Sequence, residues 1–206
     1  MRTSVFKTEA GRDRVRSYYN MVLSQLPFER RYIETTFGRT FLLVAGDEAN
    51  PAIILLHGSC SNSAFWFPEI MALSSTHRVY AVDIVGEAGN SEEYRPDLDF
   101  FSYWMKEVLD ALGLERASLM GNSLGGWMAL KFATAYPERV SNLVLIASSG
   151  IAEVKTQFKP HVSKPGHDED VPSVDPAIAG EQGIPKEVLE FISLIVENFI
   201  PISELP

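Results

Sequence analysis

What the sequence lacks narrows its class first. It holds one cysteine, Cys60, so no disulfide can form within the chain; a reducing compartment suits such a protein. Positive charge is in short supply: 18 Lys and Arg stand against 27 Asp and Glu, a net charge of −9. Nucleic acid and anionic membrane surfaces are bound by clustered positive charge, so neither is expected as a partner. No apolar run reaches the roughly 18 residues that a membrane span requires. The opening "MRTSVFKTEAGRDRVRSYYN" carries charge throughout and has no apolar leader segment. A cytoplasmic location is therefore expected. Histidine is scarce as well, at four residues, which matters once chemistry is considered.

What is present reads as one globular chain of alternating elements. Hydrophobic residues make up 46% and charged residues 22%, a balance that excludes general disorder. Residues 11–26 place Val15, Tyr19 and Val22 on one helical face, with Pro27 as a stop. "RRYIETTFGRTFLLVAGD" reads as two strands about a turn at Phe37-Gly38. Strand-like runs follow in "AIILLHG", "HRVYAVD", "RASLMG" and "SNLVLIA". Residues 52–56 and 143–147 are apolar without alternation, as strands buried on both faces are. Helix patterns lie between them at 64–73, 100–112 and 124–136. Strands alternating with helices predict an α/β class: a mostly parallel sheet with helices on both faces, against the alternative of an antiparallel α+β arrangement.

Past Gly150 the character changes. "EVKTQFKPHVSKPGHDEDVPSVDPAIAGEQGIP" is rich in Pro, Gly and charge, without a clear period. A helix pattern then runs from 185 to 201, and its apolar residues Val188, Phe191, Ile192, Leu194, Ile195 and Val196 wrap more than one face. Such a helix is covered on two sides or lines a hydrophobic site. The chain divides on this reading into a core, 1–150, and a cap-like segment, 151–206.

The stretch that carries chemistry is "MGNSLGGW". Gly121-Asn122-Ser123-Leu124-Gly125 fits G-x-S-x-G between a strand pattern and a helix pattern. In that motif the serine sits on a strained turn, and the glycines remove side chains that would collide with the neighbouring strand and helix. The hydroxyl is then a candidate nucleophile at a helix N-terminus, where developing negative charge is favoured. The alternative is a serine that merely caps the helix. A second stretch, "LLHGSC", bears on the choice. Acyl transfer needs two N–H donors aimed at the oxygen that becomes negative. Leu124 would supply one and Ser59, after His57-Gly58, the other. His57 reads as a brace for this loop and not as a catalytic group.

Four pieces in this order resemble the α/β-hydrolase family, in its cofactor-free carboxylesterase and lipase-like group. They are "LLHGSCSNSAFWFPEI", "HRVYAVDIVGEAGNSEEY", "MGNSLGGWMAL" and "YPERVSNLVLIASSG", and the resemblance covers about residues 30 to 150. It implies Ser123 as nucleophile, Ser59 and Leu124 as the oxyanion hole, and a cap after Gly150. It also implies a small ester-like substrate, with no cofactor and no metal. Trp66, Asn122 and Trp127 are the candidate pocket residues.

The family completes its triad with an acid after the seventh strand and a histidine after the eighth. No strand pattern follows Ala147, so neither has a matching position. The chain is expected to be a shortened hydrolase lacking the C-terminal part of the sheet, acylated slowly and turning over poorly. The alternative is a non-catalytic module that keeps the pocket. Asp83 reads as a residue that shapes the loop after its strand. His161, His167 and the "HDED" run read as solvated loop residues. Residues 143–147 are expected to form an unprotected edge strand, and so to favour self-association.

Overall fold

The computed structural model of the chain describes residues 4–95, 97, 100–151 and 185–201. Helix α1 is Glu9–Gln25; the Thr8 side chain caps it by accepting from the Gly11 N–H at 2.9 Å. Two strands follow, β1 (Glu29–Thr35) and β2 (Gly38–Ala45), joined at the expected turn. Then come β3 (Ala52–Leu56), a 3-10 turn (Ser63–Trp66), α2 (Phe67–Leu73) and β4 (Arg78–Val82). The core ends with α3 (Phe101–Ala111), β5 (Ala117–Asn122), α4 (Leu124–Ala135) and β6 (Val140–Ile146), and α5 spans Lys186–Asn198. The single helix expected over 64–73 is split. Pro68 lies in the first turn of α2. Its ring would clash with the carbonyl four residues back, so a continuous α-helix through 64–68 is blocked.

Among the described residues six strands form one sheet in the order β1-β2-β4-β3-β5-β6. The β4-β3-β5-β6 pairings are parallel, while β1-β2 and β2-β4 are antiparallel. The mostly parallel α/β sheet is thus the observed one. Its two faces follow from the period of two along each strand. Leu42, Val44, Ile54, Leu56, Tyr80 and Val82 point one way, into a core with Trp104 and Val108 of α3 and Met128 and Phe132 of α4. Phe41, Leu43, Ile53, Leu55, Val79 and Ala81 point the other way, against Val15 and Tyr19 of α1, Ile70 of α2, and Phe191 and Ile195 of α5. Strands β3 and β4 are covered on both faces, which the continuous apolar run of residues 52–56 anticipates; residues 143–147, expected to be buried in the same way, instead leave Val144 and Ile146 of β6 exposed.

Helix α5 shares this second core with α1: the Phe191 ring stacks on Tyr18 at 5.1 Å and on Tyr19 at 5.9 Å. Strand β6 lies at one edge of the sheet, as expected for residues 143–147, with β5 as its neighbour among the described residues. No helix of the described residues is long and apolar enough to cross a membrane.

Candidate active site

Strand β5 ends at Asn122 and α4 begins at Leu124, leaving Ser123 alone to turn the chain. It does so at φ 49°, ψ −112°, a conformation that costs an L-residue about 1–3 kcal/mol. The turn is held from both sides. Ser123 N–H donates to the Ile146 carbonyl at 3.0 Å, and the Ser123 carbonyl accepts from Trp127 N–H and Ser149 N–H, each at 3.1 Å. The flanking glycines are there for space. A Cβ at Gly121 would lie 2.3 Å from the Gly125 carbonyl oxygen, and one at Gly125 2.1 Å from that of Leu56. Both obstacles are backbone, which cannot swing aside.

The loop after β3 runs directly beside this turn: a Cβ at Gly58 would lie 3.5 Å from the Ser123 Cβ. His57 braces it. The ring is buried; Nε2 accepts from Ile84 N–H at 3.0 Å, which leaves the proton on Nδ1, donated to the Gly58 carbonyl at 2.7 Å. Burial pushes the imidazole below its ordinary value, with Asp83 and the Gly58 carbonyl opposing more weakly. With both nitrogens engaged, His57 is a structural residue. Neither Ser59 N–H nor Leu124 N–H donates to another described residue. The hydroxyl of Ser123 has the Ser149 hydroxyl as a neighbour at 3.4 Å.

Asp83 is fully buried and knits the neighbouring loops together. Its Oδ1 accepts from the Tyr19 hydroxyl at 2.9 Å and Ser63 N–H at 2.7 Å, and its Oδ2 from Asn90 N–H at 2.7 Å. These three bonds hold the buried side chain in place, so Asp83 shapes the loop.

A cavity of 170 Å³ opens beside the turn, bounded by His57, Gly58, Ser61, Trp66, Glu69 and Asn122. Trp66 and Asn122 therefore meet next to Ser123. Phe65 also borders it, and forms part of the wall of a second, apolar cavity of 390 Å³ with Val22, Phe67, Pro68, Val188 and Phe191. Trp127 is placed elsewhere. It packs against Gly150 and lies under the Lys131 ammonium at 5.0 Å, and it does not bound the cavity beside Ser123. Its spacing from Ser123 puts it one turn along α4, on the side that turns toward the chain after β6. His77 precedes β4, at the end of the parallel strands opposite to Ser123. His161, His167 and Asp168 to Asp170 lie outside the described residues.

One pair escaped the sequence reading. Glu87 is 3% exposed, and its Oε2 accepts from Cys60 N–H at 2.8 Å. Its Oε1 faces Arg95 Nη2 at 3.7 Å. Burial raises the carboxyl to about 7, although Arg95 and the bond from Cys60 act in the opposite direction. Nothing in "GEAGNSEEYR" separates this glutamate from the acidic residues beside it; its burial is a product of the tertiary fold.

Comparison with known proteins extends this geometry. The family model described as alpha/beta hydrolase fold matches residues 51–170. The carboxylesterase YbfK of Bacillus subtilis is 43% identical in an alignment 153 residues long that covers 71% of this chain and 50% of that protein. The crystal structure of carboxylesterase CesB (YbfK) from Bacillus subtilis superposes with a TM-score of 0.61 at 40% identity, over 66% of this chain and 50% of that one. Naproxen esterase (carboxylesterase NP) from the same organism gives 0.59 at 36% identity, over 65% and 48%. The chain spans about half the length of these relatives.

Proposed function

This chain belongs to the α/β hydrolase fold family, and from that premise we propose that it cleaves an ester or similar acyl bond through Ser123. The observation that carries the proposal is the Ser123 turn at φ 49°, set against the Gly58 loop with two N–H groups close by that take no described partner. Ser123 Oγ attacks the carbonyl carbon, and the N–H groups of Ser59 and Leu124 receive the oxygen as it gains charge. The alcohol leaves with a proton, and water then releases the acid and restores the hydroxyl. An apolar acyl or alcohol part fits the 390 Å³ cavity that Phe65 shares with the site. The carboxylesterase relatives support the same reaction class.

Among the described residues no imidazole or carboxylate hydrogen-bonds the Ser123 hydroxyl. Acylation is therefore expected to be slow, because proton removal is a large part of serine activation. A fluorophosphonate should label Ser123 and leave Ser123→Ala unlabelled. Turnover of an activated aryl ester should fall below the ordinary range of about 1–10³ s⁻¹. Turnover within that range, abolished by His161→Ala or His167→Ala, would instead assign the base to residues 161–167. A second reading, a binding module without chemistry, draws on the apolar cavity and on the absence of a base at Ser123 among the described residues. It requires an unlabelled Ser123 and apolar ligand binding that Ser123→Ala leaves intact.

A further inference from the structure

We propose that Glu87 is a positioning residue for the Ser59–Cys60 loop, fixing the direction of the Ser59 N–H toward Ser123. The proposal rests on the reading of Ser59 as an oxyanion donor. Its argument comes from peptide planes. Each peptide is planar, with its C=O and N–H pointing in opposite directions. The Gly58–Ser59 peptide is held at its oxygen, which accepts from His57 Nδ1–H at 2.7 Å. The Ser59 N–H, which lies in that plane and points the opposite way from the carbonyl, is thereby turned away from His57. The next peptide, Ser59–Cys60, is held at its N–H, which donates to Glu87 Oε2 at 2.8 Å. With both planes pinned, the φ and ψ of Ser59 are settled between them.

The second pin has strain to hold. Cys60 sits at φ 55°, in the left-handed region that a side chain disfavours. The Glu87 carboxyl that accepts from Cys60 N–H is buried, which limits competition from water for this bond. Glu87 is itself fixed. Its backbone N–H donates to the Ile84 carbonyl at 3.1 Å, and its carbonyl accepts from Gly89 N–H at 2.9 Å. Arg95, which faces the carboxylate, donates to the Gly86 carbonyl at 2.8 Å and to the Ile200 carbonyl, and lies over the Phe199 ring at 4.9 Å. A continuous path of contacts therefore runs from the end of α5, through Arg95 and Glu87, to the Ser59–Cys60 loop.

Two readouts test this. Hydrogen exchange of the Cys60 amide should accelerate in Glu87→Ala and return toward the native rate in Glu87→Gln, whose amide oxygen can still accept. Saturation kinetics of fluorophosphonate labelling should show the maximal rate falling at least about tenfold in Glu87→Ala, with the half-saturating concentration unchanged and Glu87→Gln restoring the rate. A purely structural role would lower the melting temperature without this split. If Glu87→Ala does not fold, Glu87→Asp, which withdraws the carboxylate by one methylene, is expected to show the same split. Unchanged Cys60 exchange in the folded variants, or an unchanged maximal rate, overturns the proposal. If Ser123 resists labelling even in the native chain, the hydrolase reading fails, and Cys60 exchange alone decides whether Glu87 holds the loop.

Discussion

At the scale of single residues, Glu87 also leaves a signature in stability. Folding raises its carboxyl from 4.5 to about 7, so the folded chain favours the protonated form. Its contribution is complete below about pH 4.5 and is lost as pH rises through about 7, by about 3 kcal/mol in all. His57 acts in the opposite sense: its lowered value favours the neutral ring, a contribution present above 6.5 and lost as pH falls. The two overlap, so the difference between variants isolates Glu87. Urea unfolding between pH 4.5 and 8 should show the native chain losing stability relative to Glu87→Gln as pH rises. A pH-independent difference would refute the assignment. The strained turn at Ser123 and the loop at Gly58 beside it were legible in the sequence, because such a turn and such a close approach restrict which residues fit. Glu87, Arg95 and the packing of Trp127 were not, because each depends on which loops the fold brings together.

At the scale of elements, the edge of the sheet stands out. Strand β6 exposes Val144 at 40% and Ile146 at 41%, and among the described residues it pairs only on its β5 side. A row of free N–H and C=O groups beside apolar side chains is a template for another strand, and Val144 to Ile146 carry no charge or proline to block it. Self-association that grows with concentration is expected, and Val144→Lys should weaken it. Light scattering decides: a native chain that stays monomeric at high concentration counts against the prediction, as does a Val144→Lys variant that associates equally. The elements themselves were largely legible in the sequence. The apolar run of β3 reads as a strand covered on both faces, and it is one; the run at 143–147 reads the same way, but without a neighbour beyond β6 among the described residues it leaves Val144 and Ile146 exposed. The break before α2 was less legible, because a proline within an apolar stretch marks a helix start or a kink without saying which.

At the scale of the whole molecule, the described beginning and end of the chain are tied together. Phe6 and Phe199 form an isolated bridge, Lys7 N–H donates to the Asn198 carbonyl and Ile200 N–H to the Val5 carbonyl, each at 2.9 Å. The consequence is kinetic. A contact between residues so far apart closes a loop of almost the entire chain, and each doubling of loop length adds about 0.6 kcal/mol of closure entropy. The β1-β2 hairpin needs only its own short turn. The tie should therefore form after the sheet and open before it, as a local unfolding event separate from the global one. Under native conditions the amides of Lys7 and Ile200 should exchange faster than those of Ile54 and Leu55 in β3, and with a weaker dependence on urea. Matching rates and urea slopes would mean that the tie opens only when the whole sheet does. Because the Ile200 carbonyl anchors Arg95, each opening would also release the guanidinium from that anchor, so the rate of this fraying becomes the clock on which the loop beside Ser123 relaxes.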